Sequence, residues 1–178
     1  MSKLLGVVLC GGESRRMGRD KGLLQTGGRL WVLRMSDILI QHRLPIVYSI
    51  NKEQVPAYSA WLAAGQTVID SGAGAGPLKG LMSVHRKYPE SDLLPVACDM
   101  QDLDADTVAG VISAWRKGGA DFYAYEADEF LQPFCAIYTA VGLKRGEAAA
   151  SLKALLNQGK LQRLQGPAAA FRNYNSLG

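Results

Sequence analysis

A phosphate-handling set of side chains opens this sequence. Residues 4–10 read Leu-Leu-Gly-Val-Val-Leu-Cys, a strand-length apolar run that stops at Gly11-Gly12. A cationic loop follows, Glu13-Ser14-Arg15-Arg16-Met17-Gly18-Arg19-Asp20, and it ends in Lys21. Glycines let backbone N–H groups approach a bound anion with no Cβ in the way. Arg16 has the planar fork that grips two phosphate oxygens, and Lys21 supplies a point charge. Gly11 and Gly12 are the expected backbone donors to a nucleotide. The lysine lies beyond Gly18 and is followed by Gly22, so this is not the P-loop pattern, and no Gly-x-Gly-x-x-Gly dinucleotide fingerprint is present.

Three further polar residues stand just after apolar runs: Asn51, Asp70 and Asp99. Any one of them alone reads most simply as a turn residue or helix cap. In an open parallel sheet, however, the carboxyl ends of the strands border the ligand crevice, and all three are expected to converge there. Asp99 has the strongest case, because a carboxylate at a strand end facing phosphate is a good hard-oxygen ligand for Mg²⁺. Its competing reading is the N-cap of the next helix.

The elements that must position these groups alternate between strand-like and helix-like segments. This pattern points to an α/β chain with a mostly parallel sheet covered on both faces. Strands are expected at 4–9, 45–50, 66–69, 92–98 and 121–125, with a further one over 130–138. Pro95 argues for an edge or a kink in the fourth of these. Residues 23–30 read as irregular, with a turn at Gly27-Gly28. Helices are expected at 30–41, with Leu30, Leu33, Ile38 and Leu39 on the buried side, at 54–64, 77–88 and 104–117, and in two pieces over 139–156. Short strands are expected over 161–174. The small-residue run 71–77 does not separate two domains, and residues 1–178 read as one.

The composition is that of a folded chain: 48% hydrophobic, 20% charged, net charge +4. The positive balance suits anionic ligands, but no basic run with interleaved aromatics points to nucleic acid. The N-terminal apolar run is too short for a signal peptide, and no stretch approaches the ~20 apolar residues of a membrane span. Cys10, Cys98 and Cys135 are far apart in sequence and read as reduced thiols in a cytoplasmic protein. With only His42 and His85, a zinc site or histidine triad is not expected.

The first loop resembles the Leu-x-Gly-Gly-x-Ser-x-Arg-Met-Gly-x-Asp-Lys signature of the molybdenum cofactor guanylyltransferases. Leu9, Gly11, Gly12, Ser14, Arg16, Met17, Gly18, Asp20 and Lys21 match it, and Cys10 stands where alanine is usual. Cys98-Asp99-Met100 resembles the family's Cys-Asp-Met-Pro motif, with Gln101 in place of the proline. Gly76-Pro77-Leu78-Lys79-Gly80 resembles its Gly-Pro-Leu-x-Gly segment, where a mainly structural role is expected. Gln132 to Tyr138 resembles a Gln-Pro-Leu-x-Ala-Leu-Tyr strand, for which a core role is at least as good a reading as ligand contact. Asn173-Tyr174-Asn175-Ser176 resembles the Asn-x-Asn-Thr/Ser motif that lies near the pterin in relatives. There the family continues into proline, acidic residues and a helix, whereas this sequence continues only with Leu177-Gly178.

The resemblance implies a Rossmann-like three-layer α/β/α nucleotidyltransferase fold. It implies Mg²⁺ on Asp99, triphosphate contacts from Arg16 and Lys21, and nucleotide contacts from Leu9, Cys10, Gly11, Gly12, Asn51, Asp70 and Asp99. The implied substrates are GTP and molybdopterin or its molybdenum-loaded form. The implied protein partners are the enzyme that supplies molybdopterin and the molybdoenzyme apoproteins that receive the product. Arg15, Arg19, Lys160 and Arg163 read as solvated charge. Two alternatives stand beside this reading: a cytidylyl- or sugar-phosphate nucleotidyltransferase of the same fold, and a non-catalytic nucleotide or pterin carrier. The presence of both Lys21 and Asp99 argues against the carrier, which has less need of them.

Overall fold

The computed structural model describes residues 3–11, 20–72 and 75–174. Strand β1 (Leu4–Leu9) is buried along its whole length. It pairs in parallel with β4 (Ile46–Ile50) on one side and with β6 (Asp92–Ala97) on the other. Strand β5 (Thr67–Ile69) extends the sheet beyond β4, also in parallel. The four strands β5-β4-β1-β6 therefore end on one rim, and the order of their connections reverses at β1. That is the place where open α/β sheets bind their ligands.

Alternation along β1 divides the core into two layers. Leu4 and Val8 pack into one cluster, with Val32, Met35 and Leu39 of α1 (Trp31–Gln41) and Val108, Val111 and Ile112 of α4 (Ala105–Lys117). Leu5, Val7 and Leu9 pack into the other, with Leu78, Leu81 and Val84 of α3 (Gly76–Lys87). Short helices α5 (Ala140–Leu143) and α6 (Leu152–Leu156) cover the same face as α3. The arrangement is the expected three-layer sandwich with a mostly parallel sheet.

The other half of the sheet is mixed. Strand β9 (Ile137–Tyr138) is inserted antiparallel between β6 and β7 (Phe122–Ala127), and β10 (Leu161–Gln165) runs parallel to β7 at the edge. Strand β8 (Phe130–Leu131) folds back on β7. Pro95 therefore lies inside the sheet, not at an edge. Its carbonyl accepts from Cys135 N–H at 2.8 Å, so its missing N–H faces the side where β9 pairs with β6 only at Leu93. The proline costs no ladder hydrogen bond there.

Several boundaries differ from the sequence reading. Residues 23–30 contain a small hairpin, β2 (Gln25–Thr26) and β3 (Arg29–Leu30), turned by Gly27 and Gly28 at φ 58° and 76°. In α1 the fully buried side is Trp31, Val32, Met35 and Leu39, while Leu33 and Ile38 are only partly buried. The expected helix over 54–64 is one turn, α2 (Val55–Tyr58), followed by turns and the 3-10 turn Ala64–Gln66. The expected strand over 130–138 is broken around Pro133 and Cys135, whose φ is 50°. In the tail, β10 gives way to a 3-10 turn at Ala168–Phe171. Among the described residues, no helix is long and apolar enough to cross a membrane.

Candidate functional site

The C-terminal rim of β5-β4-β1-β6 gathers the polar residues that the sequence singled out. Lys21 Nζ lies 2.9 Å from Asp99 Oδ2, although the two are 78 positions apart. Both side chains are partly covered, at 21% and 13% exposure, so their pairing is shielded more than a surface ion pair. Asp99 does not cap the following helix; Asp104 does, accepting from Thr107 N–H at 2.7 Å. The competing reading of Asp99 is thereby removed, and its carboxylate faces Lys21 at the rim.

The loop that carries Asp99 is tied at several points. Gln101, which replaces the expected proline, donates from Nε2 to Cys98 O at 2.8 Å and closes the turn with a side chain in place of a ring. The tail reaches the same loop. Tyr174 N–H donates to Asp99 O at 3.1 Å and its hydroxyl donates to Asp102 Oδ2 at 2.7 Å. Nothing in the spacing of the sequence connects position 174 with position 99. Asn173 is exposed beside this contact, and Asn175 and Ser176 lie outside the described residues.

Asp70, just past β5, turns toward the first glycine. A Cβ on Gly11 would overlap Asp70 Oδ2, and one on Gly80 would overlap Ser49 Oγ. The absence of both side chains lets β1, β4, β5 and α3 close around one carboxylate. Ser49 Oγ donates to Asp70 Oδ1 at 2.5 Å. Burial pushes the Asp70 carboxyl above its ordinary value, and the Ser49 hydrogen bond and nearby Lys79 pull it partly back. Gly80 thus has the structural role expected of the Gly76–Gly80 segment.

Asn51 takes a different part. Its Oδ1 accepts from Gln54 N–H at 2.9 Å, and Gln54 Oε1 accepts from Asn51 N–H at 2.8 Å, a reciprocal capping box. The Asn-x-x-Gln spacing is legible in the sequence, and it gives this residue a capping role at the end of β4. Leu9 and Cys10 spend backbone groups within the fold. Leu9 O accepts from Cys98 N–H, Cys10 N–H donates to Ser49 O, and Cys10 O accepts from Gln54 Nε2. Gly12 and Arg16, with the rest of residues 12–19, lie outside the described residues.

The thiols of Cys10 and Cys98 are buried, and burial pushes both well above their ordinary value. Neutral and covered, they are not nucleophiles. At Gln132–Tyr138 the core reading holds: Cys135, Ala136, Ile137 and Tyr138 are fully buried, and the Tyr138 hydroxyl donates to Pro133 O at 2.8 Å. Among the described residues no group of three or more His, Cys, Asp or Glu side chains is placed to hold a metal ion. One carboxylate together with phosphate oxygens is nevertheless the donor set that Mg²⁺ takes at nucleotide sites. Asp99 brings one such carboxylate to the rim, with Lys21 against its Oδ2.

Known proteins resemble this chain in sequence and in fold. Residues 6–171 match the model of the MobA-like NTP transferase domain. A molybdenum cofactor guanylyltransferase from Shewanella frigidimarina is 32% identical over 158 residues, covering 86% of this chain and 75% of that protein. A molybdenum cofactor biosynthesis bifunctional protein from Synechocystis sp. is 30% identical over 142 residues, 79% of this chain but only 40% of the relative's length. The crystal structure of molybdopterin-guanine dinucleotide biosynthesis protein A from Archaeoglobus fulgidus superposes with a TM-score of 0.74 at 18% identity, covering 96% of this chain and 92% of that one. At that identity the likeness is one of fold.

Proposed function

This chain belongs to the MobA-like NTP transferase family, and on that premise we propose that it transfers GMP from GTP to the terminal phosphate of molybdopterin. An oxygen of that phosphate attacks the α-phosphorus, the bond to the β-phosphate oxygen breaks, and pyrophosphate leaves. The product is a guanine dinucleotide form of the cofactor. The nucleophile is an anion at neutral pH, so the protein needs no nucleophile or strong base of its own. Its work is positioning and charge neutralisation.

The observation that carries this reading is the 2.9 Å approach of Lys21 to Asp99 on the rim where β1 and β6 end. Lys21 neutralises charge that grows on the departing pyrophosphate, and Arg16 is assigned the same task. Gly11 has no Cβ where the Asp70 carboxylate lies, which brings that carboxylate to the end of β1. Asp99 would hold Mg²⁺, which when bound supplies Lewis-acid stabilisation of the phosphate oxygens. Asp70 is assigned to the guanine nucleotide, because a carboxylate accepts from both N1–H and the exocyclic amine. The enzyme that makes molybdopterin and the apoproteins that take the product are the partners this activity needs.

Pyrophosphate release from GTP, CTP, UTP and ATP, each with Mg²⁺ and molybdopterin, tests the proposal. Release from GTP alone is expected. Release from CTP overturns the choice of base, and binding without release marks a carrier.

A further inference from the structure

Asp20 is part of the loop motif, and its carboxylate is taken up by donors of the scaffold. Oδ1 accepts from Gly22 N–H at 3.0 Å and from the Tyr58 hydroxyl at 2.7 Å, and Oδ2 accepts a short hydrogen bond from Gln54 Nε2. All three donors are neutral. Gln54 and Tyr58 are buried, at 8% and 1% exposure. A Cβ on Gly22 would overlap the Tyr58 hydroxyl, so the glycine next to Lys21 is what admits this partner.

Gln54 also donates from Nε2 to Cys10 O at 3.0 Å. One amide therefore bridges the point where the chain leaves β1 and the point where it returns at Asp20. Gln54 is itself fixed by the capping box with Asn51. From Asp20 the chain enters a 3-10 turn whose first residue is Lys21, closed by Leu24 N–H on Lys21 O at 3.0 Å. The backbone of Lys21 is pinned on both sides, and only its side chain remains to reach Asp99.

We infer that Asp20, held by Gln54, Tyr58 and the Gly22 N–H, is the positioning residue that aims Lys21 at the leaving pyrophosphate, and that Asn51 serves the site through Gln54. This rests on the reading of the rim as a phosphate site. A carboxylate that is satisfied by neutral donors fixes a backbone without competing for the lysine's charge. Holding the ammonium in place beforehand leaves less side-chain entropy to lose when phosphate arrives.

The test is a double-mutant cycle on binding of magnesium pyrophosphate, followed by calorimetry, with thermal melting as a check on folding. Gln54→Met and Tyr58→Phe keep bulk and remove donors. Each is expected to weaken binding ~3–10-fold in the parent chain and less than ~2-fold in the Lys21→Ala background, because contacts acting through one residue are not additive. Equal losses in both backgrounds overturn the inference, as does no loss in the parent, or a parent chain that binds no magnesium pyrophosphate. Where one variant does not fold, the other carries the cycle. The probe contains neither guanine nor pterin. Pyrophosphate binding without GTP turnover therefore removes the proposed reaction and leaves this inference standing.

Discussion

Strand β6 carries an aspartate near each end, and the two rims of the sheet use them differently. At the N-terminal rim Asp92 is 3% exposed and accepts from Trp115 Nε1 at 2.7 Å and from Ala140 N–H at 2.8 Å. It ties α4 and the start of α5 to the sheet. At the C-terminal rim, on the order of 20 Å away along the strand, Asp99 meets a lysine side chain at 2.9 Å. The same residue type is a buried tie in one place and a crevice group in the other. Its partners separate the two: fixed donors of the scaffold for Asp92, a cation from a distant loop for Asp99. A changed residue at one rim should alter chemistry, and at the other stability.

The largest effect belongs to Lys21→Ala, which is expected to slow pyrophosphate release ~10²-fold, as for loss of one charge-stabilising donor. A reduction of less than a few-fold removes the lysine from the reaction. Gly11→Ala follows. Its methyl must displace the Asp70 carboxylate, at a cost of ~1–3 kcal/mol of stability by overpacking, and calorimetry should show weaker GTP binding. Tolerance of alanine at full affinity would break the account of this rim. Asp92→Asn sharpens the contrast from the other side. One of its two N–H partners then faces an amide N–H₂, costing ~1–3 kcal/mol in denaturant unfolding. Turnover per folded molecule should stay unchanged, and a large loss there would erase the difference between the rims.

The smallest effect is expected at Asp70. Its raised pKa means that the folded chain holds a proton to higher pH than the unfolded chain. Stability from this group is fully present below the ordinary value of 3.8 and is lost as pH rises through the folded value. Asp70→Asn should therefore melt higher than the parent at pH 7, with the gap closing as pH falls toward 3.8, while GTP affinity declines. A variant that melts lower at pH 7 contradicts the desolvation argument.

The half of the fold that builds this rim was legible because its signals are local. An apolar run ending in Gly11 and apolar runs ending at Asp70 and Asp99 each announce a buried parallel strand with a polar exit. The mixed half was less so. A strand over 130–138 is a fair reading of its apolar content, but Pro133 and the positive φ of Cys135 break it into two short pieces. Pro95 was misleading for the opposite reason: its neighbour stops pairing where the missing N–H points, which only the third dimension reveals. In the site, the lysine and carboxylate were readable from type and position. Asp20's partners were not, because Gln54 and Tyr58 act on the loop across the sheet rim. Asn51 shows that a strand-end residue can also be a cap, since the Asn-x-x-Gln spacing of its capping box with Gln54 lay in the sequence.

The most direct test of the proposed phosphate and metal site is calorimetric titration of GTP into the parent chain and Asp99→Asn, each with and without Mg²⁺. The expected result is that Mg²⁺ tightens GTP binding at least ~10-fold in the parent, the size of one lost charged partner, and leaves the variant's affinity unchanged. An equal metal enhancement in both proteins would place the cation elsewhere and contradict the account.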